Sequence, residues 1–274
     1  MNRERYRAIF ISDLHLGARD AQSRFLLDFL NQTDSDHLYL VGDIIDLWKL
    51  RRGWYWPQIN NDIVRCVLDK ARQGTSVVYV PGNHDELLRD YVGMEFNGVR
   101  LAADWVHETA DGRRLLVLHG DEFDSVVKHN RWLAHIGSWA YDLLLVANRW
   151  YNHLRRRLGF DYWSLSAFLK HSVKEAVNYI GSFEDAVARE AARRNVDGLV
   201  CGHIHKAAID DSHGVLYLNS GDWVESCTAL VEDAEGGFRI LQWANAGALD
   251  RLASERARPV DAGASEEEGV LAAD

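Results

Sequence analysis

Five short polar clusters carry side chains that can bind metal ions or move protons: Asp13-Leu14-His15, Gly42-Asp43-Ile44-Ile45-Asp46, Gly82-Asn83-His84-Asp85, His119-Gly120-Asp121 and Gly202-His203-Ile204-His205. Each supplies a carboxylate, an imidazole or an amide oxygen, and each follows an apolar run that reads as a β-strand. Residues two apart on extended backbone point the same way, so Asp13 and His15 can share one ion. Open parallel sheets gather ligands at the carboxyl ends of their strands, so several such ends can deliver groups to one point. Glycines at 42, 82, 120 and 202 are expected to let the backbone turn sharply beside that point. Taken singly, these clusters say little. Asn83 is of a type favoured as a helix N-cap, and a His-x-His pair on a strand can be plain core or surface histidine. The conjunction of all five, in strand-end positions and with metal-capable groups throughout, is not accounted for in that way.

The elements that must position these residues follow from hydrophobic spacing. Residues 7–11, 38–41 and 76–80 read as buried strands, and 21–31 and 59–73 as amphipathic helices between them. This β-α-β-α-β rhythm implies a largely parallel sheet with helices on its faces. Further short strands are expected at 115–118, 199–200, 215–219 and 228–231. Residues 125–180 differ in character, with eight Lys/Arg against three Asp/Glu, ten aromatics and helical periodicity. They are expected to form a helical cap inserted in a single domain spanning 1–243. The aromatic-free segment 244–274, with its Glu266-Glu267-Glu268 run, reads as a disordered tail.

Composition narrows the setting. A chain of 274 residues with 47% hydrophobic residues can bury a substantial core. The formal net charge of −10 argues against a nucleic-acid partner, which calls for a basic face. Cys66, Cys201 and Cys227 are too few and too scattered for a disulfide framework, so a reducing cytoplasm is expected. Neither a signal-peptide core nor a membrane-spanning run is visible, although contact with the inner face of a membrane remains open.

Together the five clusters resemble the calcineurin-like metallophosphoesterase superfamily, whose pattern is D-x-H, G-D-x-x-D, G-N-H-[DE], H-G and G-H-x-H. The resemblance covers roughly residues 7–232 and implies an α/β fold, a four-layer α/β/β/α sandwich of two mixed sheets. It places Asp13, His15, Asp43 and His205 on one divalent metal and Asp43, Asn83, His119 and His203 on a second, with Asp43 bridging. It implies hydrolysis of a phosphoester or diphosphate bond by a metal-activated hydroxide. His84 is expected to face the leaving-group or a phosphoryl oxygen, with Asp46 orienting its ring. The donor set suits Mn²⁺, with Fe or Zn²⁺ as alternatives.

Within that superfamily the chain is most similar to the UDP-2,3-diacylglucosamine diphosphatases of lipid A synthesis. The similarity rests on Phe10-Ile11-Ser12-Asp13-Leu14-His15-Leu16, on Trp48 after Gly42-Asp43, and on the insertion between His119 and His203. It implies a phosphorylated lipid substrate under an aromatic, basic cap, and peripheral membrane contact. Arg149, Arg155, Arg156 and Arg157 are candidates to pair with its phosphates. Two features depart from the branch: it typically carries Arg where this chain has His84, and the segment after His119 differs from that of the strict enzyme. Two other readings stay open: a phosphodiesterase or phosphomonoesterase acting on a soluble nucleotide or sugar phosphate, and a non-catalytic binding module. Asp121, Glu122 and Asp124 are readable either as groups that orient ligands or as a solvated acidic turn.

Overall fold

The computed structural model describes residues 3–124, 183, 186–211, 214–245, 247–249 and 251–252. The expected cap at 125–180, with Arg149, Arg155, Arg156 and Arg157, lies outside these residues, as does 253–274. The first strand, β1 (Glu4–Ile11), leads to α1 (Ser23–Gln32), β2 (Thr33–Val41), α2 (Leu47–Arg52), α3 (Gln58–Arg72) and β3 (Ser76–Val80). Four short strands follow, β4 (Glu95–Phe96), β5 (Val99–Leu101), β6 (Trp105–Glu108) and β7 (Arg114–Val117). A helix over 186–194 then precedes β8 (Gly198–Cys201), β9 (Ala208–Asp210), β10 (Leu216–Asn219), β11 (Thr228–Glu232) and β12 (Phe238–Gln242).

Two mixed sheets result. One runs β12-β11-β1-β2-β3-β5-β4 and the other β6-β7-β8-β10-β9. Strands β1, β2, β3 and β5 pair in parallel, as do β7, β8 and β10, while the outer strands pair antiparallel. The inner faces meet through Phe10, Tyr39, Val78, Val117, Val200 and Leu218. On the outer face of the larger sheet, Ile9, Ile11, Leu38 and Leu40 pack against Leu26, Phe29 and Leu30 of α1 and Ile63 and Val67 of α3. On the outer face of the smaller sheet, Leu116, Leu199 and Tyr217 meet Ala186, Val187 and Ala191 of the 186–194 helix. The expected α/β/β/α sandwich is therefore present.

Local sequence explains where the elements start and stop. The inward face of α1 is set by apolar residues one turn apart, and the helix ends at Thr33, whose hydroxyl donates to the Phe29 carbonyl at 2.8 Å. The stripe Asn60, Ile63, Val67 and Lys70 buries one side of α3, and Gly74 with φ of 102° follows its end. Lys70 is buried on that stripe because its ammonium donates to the Thr33 carbonyl and to Asp34, the latter at 3.1 Å. Charged residues Glu4 and Arg5 begin β1 earlier than hydrophobicity suggests, because they already pair with Thr33 and Asp34 of β2. The segment after Trp243 starts with residues that pack: Ala248 is buried, and Arg251 pairs with Asp28 of α1 at 2.8 Å.

Phe29 lies at the centre of this packing, fully buried between the rings of Trp223 at 5.2 Å and Trp243 at 5.1 Å. Phe29→Ala is expected to cost about 3–5 kcal/mol of stability by leaving a cavity there. A denaturant midpoint unchanged from the parent would contradict this packing.

Candidate metal centre and catalytic site

All five polar clusters leave the carboxyl ends of strands: β1 before Asp13, β2 before Asp43, β3 before Asn83, β7 before His119 and β8 before His203. Backbone hydrogen bonds lock the first two loops together, from Asp13 N–H to the Gly42 carbonyl at 3.0 Å and from His15 N–H to the Asp43 carbonyl at 2.9 Å. Asp85 fastens the third loop to the second. Its carboxylate accepts from the Gly82 N–H at 2.6 Å, the Ile44 N–H at 2.8 Å and the Tyr79 hydroxyl at 2.5 Å. The loop at 219–223 braces the opposite side: Trp223 N–H donates to the Asp13 carbonyl at 3.1 Å, and the Asn219 amide donates to the Gly202 carbonyl at 2.8 Å.

Five of the seven expected ligands have left-handed backbone: Asp13, His15, Asp43, His203 and His205, with φ between 48° and 69°. Such conformations cost about 1–3 kcal/mol each and persist only where the surroundings over-determine them. The glycines act in two ways rather than the single one expected. Gly42 and Gly120 do turn the chain at positive φ, 74° and 110°. Gly82 and Gly202 lie outside that region and serve close approach instead. A Cβ on Gly82 would run into the Asp43 carboxylate, and one on Gly202 would sit 2.6 Å from both Asp13 Oδ2 and Ser12 Oγ.

The side chains converge. Asp13, His15 and His205 form one group whose ligand atoms lie within 4.8 Å of one another, and Asp13, Asp43 and His119 form a second. His205 Nε2 is 3.2 Å from Asp13 Oδ1, and His119 Nε2 is 3.4 Å from Asp43 Oδ2. His203 falls in neither group; its ring stacks edge-on to His119 with centroids 5.0 Å apart. Hydrogen bonds fix which imidazole nitrogens remain available. His119 Nδ1 donates to the Val41 carbonyl at 3.1 Å, leaving Nε2 with its lone pair, and His203 Nε2 meets Asp124 at 3.0 Å, leaving Nδ1.

Asp46 lies between two rings, with Oδ2 3.2 Å from His15 Nδ1 and Oδ1 3.1 Å from His84 Nδ1. Its Oδ1 also caps α2 by accepting from the Lys49 N–H at 2.8 Å. His84 is covered on one side by Trp48, ring centroids 4.2 Å apart. Its own backbone N–H donates to Asp43 Oδ1 at 2.8 Å.

The electrostatics are those of a cation site. Burial works to raise the pKa of Asp13, Asp43 and Asp46, but nearby groups hold all three below the usual carboxylate range: His205 at Asp13, His119 at Asp43, and His15 and His84 at Asp46. Burial lowers the pKa of His119, yet the carboxylates of Asp43 and Asp13 push it up to about 10. The field that favours a proton on this ring equally favours a divalent cation at its Nε2. Among the described residues, the buried side-chain atoms without a hydrogen-bond partner include Asp13 Oδ1, His15 Nε2, Asn83 Oδ1 and His119 Nε2. Orphaned buried polar atoms are rare and costly, and these four are donor atoms of expected ligands, of which Asp13, His15 and His119 belong to the two groups above. The residues present fit a divalent metal centre.

Several groups in this machinery were left open or unassigned by sequence reading. Of the three acidic residues after His119, Asp124 holds His203, Asp121 pairs with Arg89 at 2.8 Å, and Glu122 accepts from the Gly120 N–H at 3.2 Å. The contact of Asp46 with His15 and the latch formed by Asp85 were not foreseen. The Asn219–Trp223 brace was not singled out either, although Asn219 ends and Asp222 follows an apolar strand, much as the five clusters do.

A family model described as calcineurin-like phosphoesterase matches residues 6–207. Three curated proteins named UDP-2,3-diacylglucosamine hydrolase align along nearly their whole lengths. That of Neisseria meningitidis serogroup A is 26% identical over 246 residues, 85% of this chain and 97% of that protein. Those of Pseudomonas paraeruginosa and Xanthomonas axonopodis pv. citri are each 28% identical, over 83% of this chain and 95% and 96% of those proteins. The family match spans all five polar clusters, and on that basis the chain belongs to the calcineurin-like phosphoesterase family and is a phosphoester-hydrolysing enzyme.

Proposed function

We propose that the enzyme adds water across the diphosphate bond of UDP-2,3-diacylglucosamine, releasing UMP and 2,3-diacylglucosamine 1-phosphate. The observation that carries this reading is the near-complete coverage of relatives bearing that hydrolase name, 95–97% of their own lengths. We further propose that Asp13, His15, Asp43, Asn83, His119, His203 and His205 hold two divalent ions, Mn²⁺ first among the candidates. Bound divalent metals supply Lewis acidity toward phosphoryl oxygens and lower the pKa of water. The chain's own part is positional. Asp46 Oδ1 sits 3.1 Å from Nδ1 of His84, and Nε2 of that ring lies 4.0 Å from Asp43 Oδ2, beside the carboxylate cluster, where it would hydrogen-bond or protonate the leaving oxygen. Trp48 covers the ring and limits its rotation. Asp124 and the Val41 carbonyl hold the His203 and His119 rings in the tautomers that ligation needs. The protein would work in the cytoplasm; no described helix is long and apolar enough to cross a membrane.

UMP release from the diacylated substrate with Mn²⁺, beside an acyl-free UDP-sugar and a chelator control, tests the substrate. Chelator-sensitive release from the diacyl compound alone is expected. Turnover of a generic phosphodiester with none of the lipid would leave the metal chemistry and overturn the lipid assignment.

Asp43→Ala is expected to abolish metal-dependent hydrolysis while circular dichroism shows a folded chain; full activity would sink the two-metal assignment. In Asp46→Asn the α2 cap survives, because Asn caps as well as Asp, but the charge gripping both rings is gone. A loss of about 10–100-fold in activity or metal affinity is expected, and parental kinetics would show that Asp46 merely caps the helix.

A further inference from the structure

Each sheet supplies part of the metal centre. Asp13, His15, Asp43 and Asn83 leave strands of the larger sheet, and His119, His203 and His205 leave strands of the smaller one. An ion held by Asp43, Asn83, His119 and His203 would straddle the seam, and the width of that seam decides whether four donors can reach it. On the side of β1 and β8 hydrogen bonds fix the width: the His203 N–H donates to Asp13 Oδ2 at 3.0 Å, and the Ser220 hydroxyl donates to Ser12 at 2.8 Å. The side of β3 and β7 is built differently. A Cβ on Gly82 would lie 2.8 Å from Cδ2 of His119, which leaves no room for a side chain between the two loops. Steric contact of this kind sets a minimum separation but does not keep the loops from parting.

Arg89 supplies the attraction. It stands in the short 3₁₀ helix Glu86–Tyr91 that follows Asn83, and its Nη2 donates to both carboxylate oxygens of Asp121 at 2.8 Å and to the Pro81 carbonyl at 3.4 Å. Asp121 comes two residues after His119, and its side chain is only 13% exposed. Burial disfavours the charge on Arg89, yet Asp121, with smaller contributions from Glu122 and Asp85, holds its pKa above the usual arginine value. We propose that the Arg89–Asp121 pair is a positioning element for the second metal, drawing the Asn83 loop of one sheet against the His119 loop of the other so that Asn83 Oδ1 and His119 Nε2 reach one ion. Both atoms are buried and without a hydrogen-bond partner. Asn83 is a neutral amide with no charge to attract a cation, so its ligation depends on placement. The inference rests on the two-metal reading above.

The sign of the effect separates placement from plain electrostatics. Removing a positive charge beside a cation site tightens metal binding and removing a negative one loosens it, whereas lost placement loosens it in both cases. Calorimetric titration of the chelator-stripped full chain with Mn²⁺ counts the ions bound and gives their affinities without any turnover. The parent is expected to take up two. R89Q and D121N are each expected to bind one of them about tenfold more weakly and the other as the parent does. R89K, which keeps one charged nitrogen for the contact, is expected to recover affinity lost in R89Q. Circular dichroism of each stripped variant checks that it is folded. Parental or tighter binding of both ions in R89Q overturns the proposal and leaves the two-metal reading intact, as does R89K binding no better than R89Q. Uptake of a single ion by the parent overturns that reading and the proposal with it.

Discussion

Two ionised carboxylates, Asp13 and Asp43, lie buried where the sheets meet. Removing such charges from water costs several kcal/mol each unless donors or cations replace the lost hydration. Much of the local architecture answers that demand. The His203 N–H donates to Asp13 Oδ2 at 3.0 Å and the His84 N–H to Asp43 Oδ1 at 2.8 Å, so each aspartate is met by backbone from a different loop. Gly82 and Gly202 are side-chain-free because those carboxylates occupy the space. The remaining oxygens and the ring nitrogens around them are what a divalent ion would satisfy.

Holding that charge cluster requires loops that do not drift, and the fold supplies three separate restraints. Parallel pairing of β1, β2 and β3 fixes the relative height of the first three loops. Asp85 ties the third loop to the second through backbone donors, at the expense of a buried carboxyl whose pKa is raised by burial and by Asp43. The Ser12 hydroxyl, accepting from Ser220 at 2.8 Å and donating to the Gly221 carbonyl at 2.9 Å, joins the first loop to the brace at 219–223. Tight support of this kind is what lets several ligands keep strained backbone.

The sequence made the chemistry legible because metal ligation restricts residue types, and the strand-loop placement of Asp13, Asp43, Asn83, His119 and His203 could be read from the apolar runs before them. The same runs read only as a largely parallel sheet with helices on its faces; the two-sheet sandwich was what the family resemblance implied. Elements with little periodicity escaped notice: β4, of two residues, β9, of three, and α2, which buries nothing. Strand β12 was missed because its half-exposed Phe238–Gln242 lies at a sheet edge and does not read as core. Pairwise geometry was also hidden. Asp121 and Asp124 look alike in sequence, and only the fold shows that one reaches a surface arginine and the other a buried imidazole. Likewise the family resemblance implied one histidine partner for Asp46, whereas the folded chain gives it two.

The left-handed backbone at Asp13, His15, Asp43, His203 and His205 also constrains what an engineer could build here. Retuning metal preference by exchanging donors, His for Cys or Asp for Glu, would change the conformational cost along with the ligand. Asp, Asn and His tolerate this region better than most residues, and β-branched side chains are genuine outliers in it. The permitted alphabet at these positions is therefore set as much by torsion angles as by coordination chemistry. Replacements that look isosteric on paper would shift the loop before they reached an ion.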